Sequence, residues 1–336
     1  SPARAAPFRE TQRPLSYLLT ERSPLSVADR PISGGDTPAQ RIVNPLCERE
    51  TINALRKQFG FAFNKGLGQN FLVNPRIPWQ IVQEADIDAS WGVLEIGPGI
   101  GCLTYELAQH AGRVAAVEID AALLPVLEQT LPFDNVHVVH ADFMDLNLAD
   151  WLPSQFGDRP VAVVANLPYY ITTPILMRLL EQAPPQLRRI VVMVQREVAV
   201  RLCAPSGSPE GGAISLAVEY RSLPRILFRV PPGCFMPAPK VESAVVRMDL
   251  RDSPAVSCSN PDAMFRLIRQ GFGQRRKTLV NALGNQGPFP KALLGDALDA
   301  LHLARDIRAE RMTLAQFAAL TDFLLNHACP DGGAVL

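Results

Sequence analysis

Apolar residues recur along this chain in two rhythms. Short, mostly apolar runs at 93–96, 113–117, 136–140, 161–165 and 189–194 carry the aliphatic and β-branched residues of strands buried on both faces. Between them, 121–130 and 173–182 read as helices. Strand alternating with helix predicts a parallel sheet wrapped by helices. Before the sheet, RETINALRKQF places Ile52, Leu55 and Phe59 on one helical face. Asn74 before Pro75 and Thr173 before Pro174 each predict an N-cap with proline in the first turn. Later, SAVVRMDL is expected to run antiparallel to ILFRV at the edge of the sheet. From Asn260, Pro261 and Asp262 onward the pattern is wholly helical, and Thr313 with Gln316 forms a capping box for the last helix.

The chain is organised around VLEIGPGIG, residues 93 to 101, a strand that runs into a glycine-rich turn. Gly97, Gly99 and Gly101 remove side chains where the backbone turns tightly and a ligand must approach. Their spacing is G-x-G-x-G, and Cys102 follows, so the pattern lacks the third glycine of a dinucleotide fingerprint. Glu95, just before the turn, would repel phosphates and suits a cationic ligand tail. Glu118 ends the next apolar run, about 20 residues on, where a carboxylate can hold both hydroxyls of a ribose. Together these features favour S-adenosylmethionine over a dinucleotide, while a ligand-free strand-to-helix turn is the competing reading.

Candidate ligand contacts lie past the carboxyl ends of the strands, as expected for such sheets. In KGLGQNFLVNP, Gln69 and Asn70 can bond a ligand's amino acid end, with Lys65 adding charge nearby, and Asn74 is assigned to capping. Asp142 after VHVVHA can accept from an adenine amino group, or else cap a helix. NLPYY, 166 to 170, follows the fourth strand. An exocyclic amine is a poor nucleophile because its lone pair is delocalised into the base. The Asn166 side-chain carbonyl and a backbone carbonyl of the turn can accept its hydrogens and orient it in line with a methyl donor. Tyr169 can stack on a flipped-out base. Phe235, in a loop stiffened by Pro237 and Pro239, reads either as an exposed second ring opposite Tyr169 or as a hydrophobic plug under the loop.

Composition changes this picture in one respect. With 336 residues and 47% hydrophobic content the chain can bury one sizeable core and a smaller domain. Its net charge is zero, yet residues 81–160 hold 13 acidic against 2 basic side chains, and residues 221–311 hold 15 basic against 8 acidic. A basic half implies a polyanionic partner, most often nucleic acid. Arg275, Arg276 and Lys277 are expected at a helix start, where the macrodipole disfavours cations and a phosphate partner explains them better. Six scattered cysteines suggest neither a zinc site nor a disulfide framework, and a reducing compartment follows. Residues 1–46, rich in Pro, Arg, Ser and Ala, are expected to be a disordered extension with no secretory signal.

KGLGQNFL, EIGPGIG, VEID, ANLPYYI, MVQREVAVRL, FMPAPKVESAVV and FGQRRKTLVNAL, in this order, resemble the bacterial 16S ribosomal RNA adenine dimethyltransferases, the kasugamycin-resistance methyltransferases. The resemblance covers about 50 to 327. It implies an α/β fold, a doubly wound and mostly parallel Rossmann-like methyltransferase sheet over 47–253, with a small all-α RNA-binding domain over 260–327 and a tail at 328–336. It implies dimethylation, with S-adenosylmethionine, of N6 of two adjacent adenosines in the 3′-terminal hairpin loop of 16S RNA.

The cofactor residues it implies are Asn70, Leu72, Gly97, Glu118, Asp142 and Asn166, joined by Gln69, Glu95, Gly99, Gly101, Ile119 and Phe143. The target adenine falls to Asn166, Leu167, Pro168, Tyr169 and Phe235, and the RNA to Arg196, Lys240, Arg275, Arg276 and Lys277. No metal is implied. The expected setting is cytoplasmic, as a monomer on an immature 30S particle. Alternatives are a 23S RNA adenine methyltransferase of the macrolide-resistance type, a DNA adenine methyltransferase, and a non-enzymatic ribosome-assembly factor on the same fold. Gly211 stands where relatives usually carry Tyr, which leaves the packing of that turn open.

Overall fold

The structure is a computed structural model that describes residues 43–327 apart from 65, 183 and 286. Lys65, most of the expected N-terminal extension and the tail therefore lie outside the described residues. The strands are β1 Phe71–Leu72, β2 Gly92–Ile96, β3 Arg113–Glu118, β4 Val136–His140, β5 Val161–Asn166, β6 Leu187–Gln195, β7 Ser222–Val230, β8 Phe235–Met236 and β9 Ser243–Leu250. Seven of them form one sheet in the order β4-β3-β2-β5-β6-β9-β7. Pairings from β4 to β6 are parallel, and β9 runs antiparallel to both β6 and β7. The predicted antiparallel pairing of 243–250 with ILFRV is present, but β9 is interior and β7 forms the edge.

Strand order reverses between β3 and β5 on the two sides of β2, so a crevice opens beyond the carboxyl end of β2. Alternation along the strands sends side chains to two layers. Leu94, Ala115, Val163 and Val192 face one core, and Val93, Val114, Ala162 and Val191 face the other. Each buried Val or Leu contributes about 1.5–3 kcal/mol by leaving water.

The second layer is closed by helices Arg49–Phe59, Arg76–Ala85 and Cys102–Ala108. The middle one starts one residue later than expected, with Pro75 and not Asn74 at its N-cap, and Asn74 Oδ1 accepts from the Arg76 N–H at 3.0 Å just ahead of it. Order begins earlier than predicted. Asn44 is buried, caps the turn Pro45–Cys47, and donates through Nδ2 to the Cys102 carbonyl at 2.9 Å and to Glu106 Oε1 at 3.0 Å. A disordered segment reaching residue 46 is thus incorrect at its end, because these bonds tie 44–47 to the helix after the glycine turn.

The first layer contains helices Leu148–Phe156, Thr172–Glu181 and Ala213–Arg221, and the C-terminal helices Pro261–Gly273, Leu279–Gly284, Lys291–Ala300 and Leu314–His327. Phe265, Leu283 and Phe317 belong to the same continuous core as Leu179, Tyr220 and the sheet. Tyr220 meets Phe265 edge-on with centroids 5.2 Å apart, and Arg269 pairs with Glu181 at 2.6 Å. The C-terminal helices are therefore fused to the sheet through shared packing. Asn260 caps the first of them through the Ala263 N–H at 3.0 Å, and Thr313 and Gln316 exchange the predicted reciprocal bonds at 2.8 and 3.2 Å.

Two further helix starts differ from the expectation. Thr173 is inside its helix, whose N-cap is Ile171. Asp120 caps a short 3-10 turn, Ala121–Leu123, before a helix over Leu124–Thr130. Gly211 is buried in a turn where an added Cβ would lie 3.1 Å from the Ser208 carbonyl oxygen. No described helix is long and apolar enough to cross a membrane.

Candidate active site

The crevice at the end of β2 is lined by residues from four chain segments, 67–72, 95–103, 118–119 and 166–170, and encloses about 770 Å³ with its open mouth included. Gly97, Gly99 and Gly101 have φ of +70°, +63° and +92°, a backbone region that side chains oppose. The Gly97 N–H bonds the Val117 carbonyl at 2.9 Å, which holds the turn against β3.

At one end of the crevice Glu95 is 2% exposed, and its Oε2 has no hydrogen-bond partner. Burial pushes its carboxyl up to about 8, against which the nearby Thr104 hydroxyl pulls down, while the charge of Glu118 adds to the rise. An acid group this buried and unsatisfied is costly unless a cation or donor reaches it. Glu118 is also buried, and burial raises its carboxyl. Its two oxygens accept from the Gly99 N–H at 3.2 Å and the Asp120 N–H at 2.8 Å, which fixes the carboxylate and leaves lone pairs toward the crevice. Ile119, 44% exposed, offers apolar surface at the rim.

The segment before β1 supplies the opposite wall. Gln69 lines the crevice, but its amide is occupied: Nε2 donates to Asp120 Oδ2 at 2.7 Å and Oε1 accepts from the Asn64 N–H at 2.8 Å. It braces the wall rather than reaching a ligand with that amide. Asn70 Nδ2 donates to the Gly68 carbonyl at 2.9 Å, and the Asn70 backbone carbonyl accepts from Asn166 Nδ2 at 3.2 Å. Since that carbonyl can only accept, the amide nitrogen of Asn166 must face it, and Asn166 Oδ1 is left to face a ligand. Leu72 and Phe71 pair with Phe235 and Met236 as the ribbon β1–β8, which fastens the wall to the loop carrying Phe235.

Asn166 ends β5. Leu167 is buried beneath the turn, and the Pro168 carbonyl accepts from both the Ile171 N–H at 3.3 Å and the Thr172 hydroxyl at 2.9 Å. Tyr169 is half-buried, its hydroxyl 2.6 Å from Ser243 Oγ. Tyr170, 55% exposed, also lines the crevice. Sequence reading passed over Tyr170, although its place directly after Tyr169 was a usable signal. Asp120 was missed too, because its bond to Gln69 joins residues 51 apart.

Three expected placements change. Phe235 is 1% exposed, packed in the second core layer and paired with Leu72, so it is the plug and not an exposed ring opposite Tyr169. Asp142 and Phe143 do not line the crevice; Asp142 Oδ1 caps a turn through the Met144 N–H at 2.8 Å, and Phe143 is core. Arg275, Arg276 and Lys277 are exposed, but in a turn after the helix Pro261–Gly273 and ahead of Thr278, the N-cap of Leu279–Gly284. They sit between a helix C-terminus, which favours cations, and a helix N-terminus, which opposes them, so their position alone does not argue for a phosphate. Arg196 and Lys240 are exposed near the carboxyl edge of the sheet, with Arg196 3.5 Å from Glu242.

Comparison with known proteins places the chain in a family. Residues 60–324 match the family described as ribosomal RNA adenine dimethylase. Ribosomal RNA small subunit methyltransferase A of Bacillus pumilus is 44% identical over 288 residues, 84% of this chain and 97% of that protein. Its counterpart of the same name in Lachnoclostridium phytofermentans is 45% identical over 280 residues, 82% and 96% of the two chains. Among solved structures, a dimethyladenosine transferase from Plasmodium falciparum superimposes with a TM-score of 0.63 at 25% identity over 77% of this chain and 97% of its own. The 23S rRNA methyltransferase ErmE gives 0.57 at 26% identity over 76% and 99%. On the family match and the extent of these likenesses, the chain belongs to the ribosomal RNA adenine dimethylase family.

Proposed function

We propose that the crevice binds S-adenosylmethionine and that the chain dimethylates N6 of two adjacent adenosines in the 3′-terminal hairpin loop of 16S ribosomal RNA. In this reading it acts as a cytoplasmic monomer on an immature 30S particle. The observation that carries the proposal is that Asn166, pinned through Nδ2 so that its Oδ1 is left for a ligand, lines the same crevice as Glu95 with its orphaned carboxyl oxygen. When bound, the cofactor supplies an electrophilic methyl group on a sulfonium.

The fit is chemical. Glu95 would face the positive amino acid end, Glu118 the ribose hydroxyls, and Ile119 the adenine, while the glycine turn lets backbone lie against the ligand. On the acceptor side, Asn166 Oδ1 takes one N6 hydrogen. The Pro168 carbonyl already accepts twice, so another backbone carbonyl of the turn takes the other. Two acceptors orient the amine and draw electron density onto nitrogen. Tyr169 stacks on the extruded base. Nitrogen would become positive as the N–C bond forms at the expense of the donor's S–CH3 bond, with a neutral thioether as leaving group, and would then lose a proton to water, so no general base is needed.

The likeness to a 23S enzyme keeps one rival in view, and the small-subunit names of the curated relatives favour 16S RNA. Methyl incorporation into under-methylated 30S particles, naked 16S RNA and naked 23S RNA, followed by mapping of the modified base, tests the proposal. Labelling of 23S RNA alone, or of none of the three, would overturn it.

A further inference from the structure

We infer that Ser243 is a positioning residue of the acceptor subsite, acting on the reaction only through Tyr169. The inference rests on the function proposed above. Ser243 is 0% exposed and opens β9, the interior strand that starts at the carboxyl edge because it runs antiparallel to its neighbour β6. Its backbone is flanked on both sides, by Gln195 of β6 and Val230 of β7, so the sheet fixes where its hydroxyl stands. That hydroxyl is 2.6 Å from the Tyr169 phenol oxygen. Tyr169 itself sits on a turn at the end of β5, two strands away in the sheet.

A phenol ring on a turn can swing about its first two side-chain torsions, and stacking on an extruded base tolerates little of that. The Ser243 bond fixes the far end of the ring, while Leu167, buried, fixes the backbone beneath it. Ser243 touches neither end of the crevice: it is absent from the lining, whereas Tyr169 is part of it. Its effect should therefore fall on turnover of the acceptor and spare donor affinity.

The test is a double-mutant cycle on the full chain with under-methylated 30S particles as acceptor. Ser243→Ala and Tyr169→Phe each remove one side of the bond and should lower kcat by about five- to tenfold, the effect of losing one hydrogen bond of ordinary net strength. The double variant should be no slower than either single, and Ser243→Thr should recover most of the loss. Calorimetric affinity for S-adenosylhomocysteine should be unchanged in all four variants.

Additive losses, a wild-type rate in Ser243→Ala, or a fall in donor affinity that tracks the fall in kcat would overturn the inference. If Ser243→Ala is too unstable to assay, Ser243→Cys, which keeps the size and weakens the bond, takes its place in the cycle with Tyr169→Phe, with the same additive outcome decisive against it. A wild-type chain inactive on every RNA would instead overturn the proposed function and is recognised before any variant is compared.

Discussion

Asn166 Nδ2 donates to the backbone carbonyl of Asn70 at 3.2 Å, a bond between residues 96 apart that orients a side chain of the crevice lining at the start of the 166–170 turn. Asn166→Ala removes an acceptor held ready before the substrate arrives, and such losses cost about 10²–10³ in kcat. Asn166→Asp keeps the size but sets a carboxylate against the Asn70 carbonyl, so it should also fail. Single-turnover methyl incorporation measures both, and near-normal rates in either would refute the assigned role.

Glu95 should make donor binding pH-dependent. Its carboxyl, ordinarily near 4.5, is held at about 8 by burial, so the free protein carries a proton there at neutral pH. Between those two values the folded chain holds more protons than the unfolded one, and this group subtracts from stability as pH rises through that window. A cationic ligand favours the ionised form, so at pH 7 binding of S-adenosylmethionine should release up to about one proton. Calorimetry in buffers of different ionisation heat reads that release, and Glu95→Gln should abolish it.

Gly99→Ala tests the turn. Its φ of +63° opposes a side chain, and the new Cβ would stand 3.0 Å from Phe71 Cε1 in the crevice wall. A loss of about 1–2 kcal/mol in urea unfolding is expected from the backbone strain alone, with weaker donor binding.

Phe235→Ala should unfold the chain more readily by about 3–5 kcal/mol, because the ring fills core and leaves a cavity. Chemical denaturation decides this: a change within about 0.5 kcal/mol would mean that the ring is not core.

Replacing Arg275, Arg276 and Lys277 together by Ala should leave donor binding intact and weaken RNA binding at low salt. If all three meet phosphates, the slope of log affinity against log salt falls by about 2–3. An unchanged slope would remove the basic turn from the RNA interface.

The glycine turn, Glu118 and Asn166 were legible because each depends on strand ends that the apolar runs already mark. Phe235 was ambiguous for a physical reason: prolines on both sides of a loop stiffen it whether its aromatic points out or in, and only the pairing of Leu72 with Phe235 decides. Asn44 looked like part of a proline-rich extension, since its partners Cys102 and Glu106 lie 58 and 62 residues away. Arg275 to Lys277 do lie directly ahead of the N-cap Thr278, but the preceding helix ends only at Gly273, so the two helix ends act on them with opposite signs and the dipole argument loses its force.

The seam between the sheet and the C-terminal helices has a practical consequence. Phe265, Leu283 and Phe317 occupy the same interior as Leu179 and Tyr220, so a chain stopped at Leu250 would expose a wide oily face to water and clump. The catalytic sheet and the helices bearing the basic turn cannot be lent separately to another scaffold. Whoever transplants one must carry the other or redesign the joint.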